Sequence, residues 1–329
     1  MNVSRKALCV GIDQYEHFGD LYGCVTDATK VSEILARNAD ETINFECKLM
    51  CSTSEKHTVT KEMLRDAVKD LFSGEVDIAL FYFAGHGAID ICGGYLCTSE
   101  INEANDGFSL NDLMNIVARS KVKNKVIILD CCYSGIAGNV NNEINAVNAV
   151  LSSGTTILSA CGEDEHAAEG EGEGVFTSLL VDALRGGAAD ILGSVTPGAI
   201  YAYIDQSLGP WGQRPVFKAN INCFASLRQC NTMISISDLR KITDIFKAPS
   251  AELPLDPTYE PDKHETGGDC AEINKNHEMV FGLLQRLVKL NLVIPVGEEH
   301  MYYAAIHKKS CKLTAKGQHY WRLINQGHI

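Results

Sequence analysis

The sequence predicts an α/β fold in which a mostly parallel sheet is covered by helices on both faces. Two short apolar runs, Ile78 to Phe83 and Val126 to Leu129, are rich in β-branched and aromatic residues, and each is followed by a turn that contains glycine. Segments with the 3.6-residue period of amphipathic helices alternate with runs of this kind. Such an alternation is typical of a doubly covered parallel sheet.

The other elements follow from the same periodicities and from helix-start signals. A threonine side chain accepts a hydrogen bond from the first helical turn, and proline fits the first helical position, so Thr60 and the pair Thr196-Pro197 predict helix starts. Ser109 has capping-box character with Asp112. Besides the two runs above, the predicted elements are strand Ala7 to Ile12, helix Thr26 to Ala36, strand Phe45 to Met50, a helix opened by Thr60, helix Ser109 to Ala118, strand Thr155 to Ser159, helix Val175 to Leu184, a helix opened by Thr196, and strand Gln213 to Ala219.

The composition of the chain changes after residue 230. Half of the 8 prolines fall in one short acidic stretch, Pro249 to Pro261, which is typical of a linker. We therefore expect a large domain at 1–230, a helix and proline-rich linker at 231–270, and a smaller α+β domain at 271–329. The predicted order in the last region is helix Glu272 to Leu290, strands Leu292 to Val296 and Met301 to Ile306 joined around Gly297, and helix Leu313 to Leu323, an order that resembles a winged helix.

Composition also restricts the environment and the partners. The chain has 329 residues, of which 45% are hydrophobic, and no apolar run approaches the roughly 20 residues of a membrane span. The 13 cysteines lack the spacing of a disulfide framework or a zinc site, so we expect reduced thiols, no metal and a cytoplasmic location. The net charge is −13, but +5 from Val280 onward. Because the candidate recognition helix offers only Arg286 and Lys289, we expect a protein partner there, not nucleic acid.

Two segments that follow the buried strands carry the residues of a nucleophilic site. FAGHG, which contains His86, follows the first strand, and DCCYSG, which contains Cys131 and Cys132, follows the second. The carboxyl ends of parallel strands meet at one edge of a sheet, so we expect an imidazole and a thiol there. A thiol is only a few per cent ionised at neutral pH, so a nucleophilic cysteine needs a nearby base. The pair predicts a cysteine nucleophile assisted by His86.

These segments resemble the catalytic signatures of the caspase-like cysteine peptidases, most closely those of metacaspases and bacterial metacaspase-like proteins. In that family a Gly-His-Gly follows one strand and an Asp-x-Cys-x-Ser-Gly the next, with the histidine roughly 50 residues ahead of the cysteine. GCVTDA, which contains Cys24 and Asp27, is similar to the family's turn into its first helix. Leu8 to Asp13 looks like the family's first strand, and Ser159 to Glu169 like a later loop. The resemblance covers about the first two-thirds of the chain.

The resemblance implies roles for the residues around the two strand ends. Cys132 matches the family's nucleophile and His86 its base, whereas the alternation of a strand sends Cys131 to the opposite side, into the core. The backbone amides of Gly87 and Cys132 are expected to form the oxyanion hole. The implied activity is that of a thiol protease, which is a hydrolase of proteins or peptides.

The resemblance also implies a substrate preference. Asp27 and Asp130, together with Cys24, match positions of the family's acidic pocket, which accepts Arg or Lys before the scissile bond through charge-assisted hydrogen bonds. On the residues alone, Asp27 also suits the first turn of a helix, and Asp130 also suits the capping of backbone amides. We prefer the pocket because both positions match together. A preference for Asp, as in caspases, is the alternative.

We expect no required cofactor, and activation through the C-terminal domain. Many metacaspases bind calcium through clustered aspartates, and here Asp106 and Asp112 lie in a suitable region. Asn139 stands where another acidic ligand would be expected, which disfavours calcium dependence. Ala84 replaces a serine that metacaspases commonly have before the histidine. The loop 161–174 contains no Lys or Arg, which disfavours self-cleavage there, so we expect a partner protein or signal to regulate the enzyme.

The family suggests a role in programmed cell death, stress or antiviral defence of a bacterium. Two alternatives belong to other classes: a catalytically silent caspase-like scaffold, and a DNA-binding regulator that acts through the C-terminal domain. The presence of both dyad residues and both pocket aspartates speaks against the scaffold. The acidity of the whole chain speaks against strong binding of phosphate backbones.

Overall fold

The structure, a computed structural model, describes residues 4–54, 57–131, 151–160, 174–209, 214–222, 224–260 and 274–329. The chain forms two compact units, Met1–Asn231 and Thr232–Ile329. In chain order, the strands of the first unit are β1 (Arg5–Ile12), β2 (Glu46–Ser52), β3 (Ile78–Ala84), β4 (Gly87–Asp90), β5 (Gly93–Leu96), β6 (Phe108–Ser109), β7 (Asn124–Asp130), β8 (Thr155–Ser159), β9 (Ser194–Val195), β10 (Val216–Asn220) and β11 (Arg228–Gln229). Its helices are α1 (Cys24–Ala36), α2 (Lys61–Leu71), α3 (Leu110–Arg119), α4 (Val175–Asp182) and α5 (Pro197–Leu208).

A six-stranded sheet forms the centre of the first unit. Its order is β10-β8-β7-β3-β1-β2, and neighbouring strands run parallel except for β10, which pairs with β8 in the antiparallel sense. The predicted α/β fold class with a mostly parallel sheet is therefore confirmed. The carboxyl ends of β1, β3, β7 and β8 lie at one edge, where the candidate site residues follow.

Both faces of the central sheet are buried, which explains why its strands are continuous apolar runs and not alternating ones. All seven residues of β3 are buried. One face of the sheet packs against α2 and α3, and the other against α1, α4 and α5. Each fully buried valine, leucine or isoleucine at these contacts contributes about 1.5–3 kcal/mol relative to an exposed one. Examples on the two faces are Leu64, Leu113, Val31, Leu180 and Ile200.

Three helices begin where the sequence predicts. The side chains of Thr60, Ser109 and Thr196 each accept a hydrogen bond from a backbone N–H in the first turn of α2, α3 and α5 respectively. The capping box predicted for α3 is only partly formed: Ser109 caps the helix, but Asp112 has a different partner. Asp112 pairs with Arg65 of α2 at 3.2 Å, because a nearby guanidinium is a stronger partner for a carboxylate than a backbone amide.

A small antiparallel sheet after β3 was not predicted. Its order is β4-β5-β6, and its strands are two to four residues long. The segment is rich in glycine, which weakens the usual strand signal. The tight turn between β4 and β5 is held by Asp90, whose Oδ1 accepts hydrogen bonds from the N–H groups of Cys92 and Gly93. Gly93 has φ of 133°, a value that favours glycine.

The C-terminal unit is an α+β domain, as predicted. It contains a three-stranded antiparallel sheet of order β12-β14-β13. The resemblance of this domain to a winged helix stays a prediction. Its elements are α6 (Ile236–Arg240), α7 (Ile242–Ile245), β12 (Glu252–Pro254), α8 (Lys275–Lys289), β13 (Val293–Val296), α9 (Met301–Ile306), β14 (Ser310–Leu313) and α10 (Ala315–Asn325).

One predicted strand of this unit is wrong. Met301–Ile306 is helix α9, and the antiparallel partner of β13 is β14 instead. Met301, Ala304 and Ala305 are the buried residues of α9. Their i, i+3, i+4 spacing is that of a helix face, and the short apolar run conceals this period.

Part of the predicted linker belongs to the folded C-terminal unit. Residues 231–260 hold α6, α7 and β12, and β12 pairs with β14. Pro254 is tolerated because β12 lies at the edge of the sheet, where one side of the strand needs no donor. The rest of the linker, 261–270, lies outside the described residues.

None of the helices in the described ranges is long and apolar enough to cross a membrane.

Candidate active site

His86 follows β3 at the carboxyl edge of the central sheet. Ala84, the last residue of β3, is the register partner of Asp130, the last residue of β7. The N–H of Gly85 donates to the carbonyl of Asp130 at 3.4 Å and continues the pairing by one residue. In the chain, His86 and Cys132 each come two residues after one member of this matched pair. Cys132 itself lies outside the described residues.

The imidazole of His86 is oriented by the loop between β1 and α1. Its Nε2 lies 2.8 Å from the carbonyl oxygen of Gly19. A carbonyl oxygen can only accept a hydrogen bond, so Nε2 carries the proton in this contact. In the neutral ring Nδ1 is then unprotonated. The loop thereby fixes the tautomer in which Nδ1 is the basic nitrogen.

Tyr15, in the same loop, holds both the backbone and the ring of His86. The Tyr15 hydroxyl accepts a hydrogen bond from the His86 N–H at 2.8 Å, and the two ring centroids are 4.8 Å apart. Phe18 adds a second ring at 6.4 Å from the imidazole. Gly85 is needed here, because a Cβ at that position would lie 2.7 Å from the Tyr15 hydroxyl oxygen.

Asp13 joins this loop to the first turn of α1. Its Oδ1 accepts hydrogen bonds from the N–H groups of Cys24 and Val25, at 2.8 and 3.2 Å. Burial raises the pKa of the Asp13 carboxyl above its ordinary value, although these two bonds lower it in part. Gly11 lets the helix start lie against β1, since a Cβ there would clash with the Cys24 carbonyl oxygen. The start of α1 is thus fixed beside the carboxyl end of β1.

Asp27 and Asp130, the acidic pair, converge on one point next to Gly174. The position that a Cβ of Gly174 would occupy lies 2.9 Å from Asp130 Oδ2 and 3.2 Å from Asp27 Oδ2. Asp27 is only 3% exposed, and its Oδ2 accepts a hydrogen bond from the Gly174 N–H at 3.1 Å. Asp130 is partly buried. The structure therefore brings together two carboxylates that are far apart in sequence.

Cys24 and Tyr82 lie close to the acidic pair. Burial raises the pKa of Tyr82 well above its ordinary value, and the charges of Asp130, Asp27 and Cys24 raise it further. The phenol consequently stays protonated and available as a donor. Cys24 is half-buried at the first position of α1.

The remaining predicted site residues are Gly87 and the cysteine doublet. Gly87 opens β4 directly after His86, where it pairs with Leu96. Cys131 is 2% exposed and belongs to the hydrophobic core, as the strand alternation predicts. The oxyanion-hole assignment stays a prediction, because its second member, Cys132, lies outside the described residues.

No group of three or more His, Cys, Asp or Glu side chains in the described part of the chain is placed to hold a metal ion. Asp106 accepts the backbone N–H of Glu103 at 2.8 Å, and Asp112 is paired with Arg65. Asn139 lies outside the described residues. Calcium dependence therefore stays untested.

Four residues that build the site were missed by sequence reasoning. Tyr15 and Gly19 hold His86, Gly174 lies over the acidic pair, and Thr177 donates a hydrogen bond to Asp130 at 2.6 Å. The available signals were weak: a tyrosine between a strand and a helix start, and the last glycine of a glutamate- and glycine-rich run. Each contact joins segments that only the fold brings together.

The comparisons agree with this architecture. A family model described as the caspase domain matches residues 4–225. A solved structure of a protein from Geobacter sulfurreducens superposes with a TM-score of 0.51 at 17% identity, over 69% of this chain and 100% of that one. Caspase-1 from Spodoptera frugiperda superposes with a TM-score of 0.52 at 12% identity, over 70% of this chain and 93% of that one. No curated protein matches the chain.

At these identities the solved structures establish the fold alone, and a special closeness to bacterial metacaspases stays a prediction. The family match spans about two-thirds of the sequence, from the start of β1 to the segment after β10. This chain therefore belongs to the caspase-domain family, which is a family of cysteine peptidases.

Proposed function

We propose that the protein is a cysteine endopeptidase that cleaves proteins after Arg or Lys, with Cys132 as nucleophile and His86 as base. The observation that carries the substrate class is the convergence of Asp27 and Asp130 beside Gly174. Two carboxylates at one point favour a guanidinium or ammonium group and repel an acidic side chain. A preference for Asp, which an arginine-lined pocket gives, is thereby disfavoured.

The catalytic proposal is supported by the orientation of the imidazole. With its Nε2 proton donated to the Gly19 carbonyl, His86 can take the thiol proton of Cys132 on Nδ1. The thiolate attacks the carbonyl carbon of the substrate, and the imidazolium returns the proton to the leaving amine. Water then hydrolyses the thioester and releases the free enzyme. The amides of Gly87 and Cys132 are the proposed donors to the tetrahedral oxygen.

The proposal includes regulation and a setting. The C-terminal unit is the proposed docking site for a protein activator, and no cofactor is required. A role in defence, stress or cell death of a bacterium follows from the family resemblance alone. A reducing compartment such as the cytoplasm is the proposed location, because the 13 cysteines lack the spacing of a disulfide framework.

The test is cleavage of matched fluorogenic peptides that end in Arg, Lys or Asp, with calcium and with a chelator. We expect turnover after Arg and Lys, and none after Asp. Cys132→Ala should abolish it. Cys131→Ala is the matched control, because that thiol is a buried core group, and it should retain folding and most of the turnover.

Other outcomes are equally informative. Loss of activity in Cys131→Ala alone would exchange the roles of the two cysteines, and cleavage after Asp would overturn the acidic-pocket assignment. If no peptide is cleaved, deletion of the chain after Phe246 and addition of candidate activators separate a latent enzyme from a silent scaffold. A salt-dependent shift of duplex DNA by the full chain would favour the DNA-binding alternative.

A further inference from the structure

A buried hydrogen-bonded chain runs from the core of the sheet to the acidic pair. The Tyr82 hydroxyl of β3 and the Thr177 hydroxyl of α4 are 2.6 Å apart, and the Thr177 hydroxyl is 2.6 Å from Asp130 Oδ2. Tyr82 and Thr177 are both 0% exposed. These two hydroxyls therefore support one carboxylate of the pair from the interior of the sheet.

The direction of donation in this chain follows from chemistry. A carboxylate can only accept, so Thr177 donates its single hydroxyl proton to Asp130. Because the one hydroxyl proton of Thr177 is already donated, its oxygen can only accept from Tyr82, whose phenol is protonated. Both hydroxyl protons therefore point toward Asp130. Successive hydrogen bonds of this kind polarise one another and strengthen the last one.

Such a chain has two effects on the carboxylate that receives it. A donated hydrogen bond stabilises the ionised form of a carboxyl group, and a donor with a fixed rotamer holds the carboxylate plane in one orientation. Both effects matter for a group that must meet a cation as an anion. We propose that Thr177, supported by Tyr82, is a positioning residue that sets the recognition of Arg and Lys through Asp130. This inference rests on the proposed function of the acidic pair.

Other titratable groups face the same region. Asp27 and Cys24 of α1 act on the Tyr82 hydroxyl electrostatically together with Asp130. The Gly174 N–H, at the start of α4, donates to Asp27 and not to Asp130. The two carboxylates are therefore supported differently, and removal of the Thr177 hydroxyl should change Asp130 while the described support of Asp27 stays intact.

The experiment uses the full chain and three variants: Thr177→Val, Thr177→Ser and the double variant Tyr82→Phe/Thr177→Val. Steady-state rates on the Arg peptide give kcat and KM separately for each enzyme. In Thr177→Val we expect KM to rise about tenfold, as for a lost hydrogen bond to a charged group, with kcat changed less than about threefold. Thr177→Ser, which keeps the donor, should stay within about threefold of the wild type.

The double variant guards against a folding defect. Valine alone leaves the buried Tyr82 hydroxyl without its acceptor, and phenylalanine removes that hydroxyl. We expect the double variant to show the same rise in KM with normal thermal unfolding. An active wild type, with KM unchanged in both valine variants, would overturn the positioning role alone. A wild type that cleaves no Arg or Lys peptide, while cleaving after another residue, would overturn the proposed function and this inference with it.

Discussion

The two halves of the candidate site are built in different ways. On the histidine side, the imidazole of His86 is oriented by a main-chain acceptor, the Gly19 carbonyl, and the His86 N–H donates to the Tyr15 hydroxyl. The acidic pair is held through side-chain hydroxyls and a helix start. The Gly19 carbonyl belongs to the main chain and survives most substitutions, whereas the Thr177 hydroxyl that supports Asp130 does not. The comparison teaches that substrate selectivity should be far easier to alter by mutation than the orientation of the base.

The largest expected effect lies on the histidine side. His86→Ala should lower kcat by about 10²–10⁴-fold with little change in KM, because it removes proton transfer but leaves the acidic pair intact. His17→Ala is the matched control in the same loop, since the His17 side chain is 54% exposed. Steady-state kinetics on the Arg peptide measure both. An unchanged kcat in His86→Ala would contradict the assignment of proton transfer to the histidine side.

A smaller effect is expected from a methyl group placed in the acidic pair. In Gly174→Ala the new Cβ would lie 2.9 Å from Asp130 Oδ2, and the strain should lower kcat/KM for Arg by about 5–150-fold, equivalent to the roughly 1–3 kcal/mol of overpacking. Reaction of the thiol with iodoacetamide, which has no basic group, should be unaffected.

Gly282→Ala is the matched control for this substitution. Beyond its chain neighbours and the backbone of its own helix, a Cβ at Gly282 meets no atom within 4 Å, and alanine favours the helix. Equal losses in the two variants, or a loss of thiol reactivity in Gly174→Ala, would show that the methyl group acts on the fold and not on the pocket.

Tyr15→Phe tests how firmly the histidine side is held. The phenylalanine keeps the ring against the imidazole but removes the acceptor of the His86 N–H. We expect a loss of about 1 kcal/mol in the free energy of unfolding, the usual net value of one hydrogen bond, and a fall in kcat of less than about tenfold. Urea denaturation and kinetics measure the two quantities. Tyr15→Leu, which also removes the ring, should lower kcat further, and a smaller loss than in Tyr15→Phe would contradict the role of the ring.

The smallest expected effect is a change in the pH dependence of stability, caused by Asp13 in the loop between β1 and α1. Burial raises the pKa of Asp13 in the folded protein, so the folded state binds this proton more tightly than the unfolded chain does. The contribution of Asp13 to stability is therefore greatest below the usual carboxyl pKa of about 4. This contribution falls as the pH rises through the pKa that Asp13 has in the folded protein, and it is constant at higher pH. Asp13→Asn should remove this part of the pH dependence, while the amide oxygen still accepts from Cys24 and Val25. Urea unfolding at a series of pH values from about 4 to 7 checks this, and an unchanged profile would contradict it.

Sequence reasoning succeeded where burial leaves a strong local signal. Strands β3 and β7 were predicted because residues buried on both faces give unbroken apolar runs. The helix starts at Thr60 and Thr196 were predicted because capping is a local interaction. The nearness of Asp27 and Asp130 came from the family resemblance, and the structure places both beside Gly174.

It failed where the signal was short or the contact was distant. Helix α9 is only six residues long, too short for its period to be separated from a strand. The supports of the site join residues far apart in the chain: Gly19 and His86 are 67 positions apart, and Tyr82 and Thr177 are 95 apart. No periodicity links such residues, so only the folded chain can reveal that they meet.

The prolines of the C-terminal sheet limit how that unit meets other molecules. Its two outer strands, β12 and β13, carry Pro254 and Pro295. A proline has no N–H, so a foreign strand arriving at either border would lack a donor that the ladder requires. The prolines therefore disfavour edge-to-edge pairing of the sheets of different copies, which would lead to fibres. The proposed activator would then bind to helices and side chains of this unit and would not add a strand to its sheet.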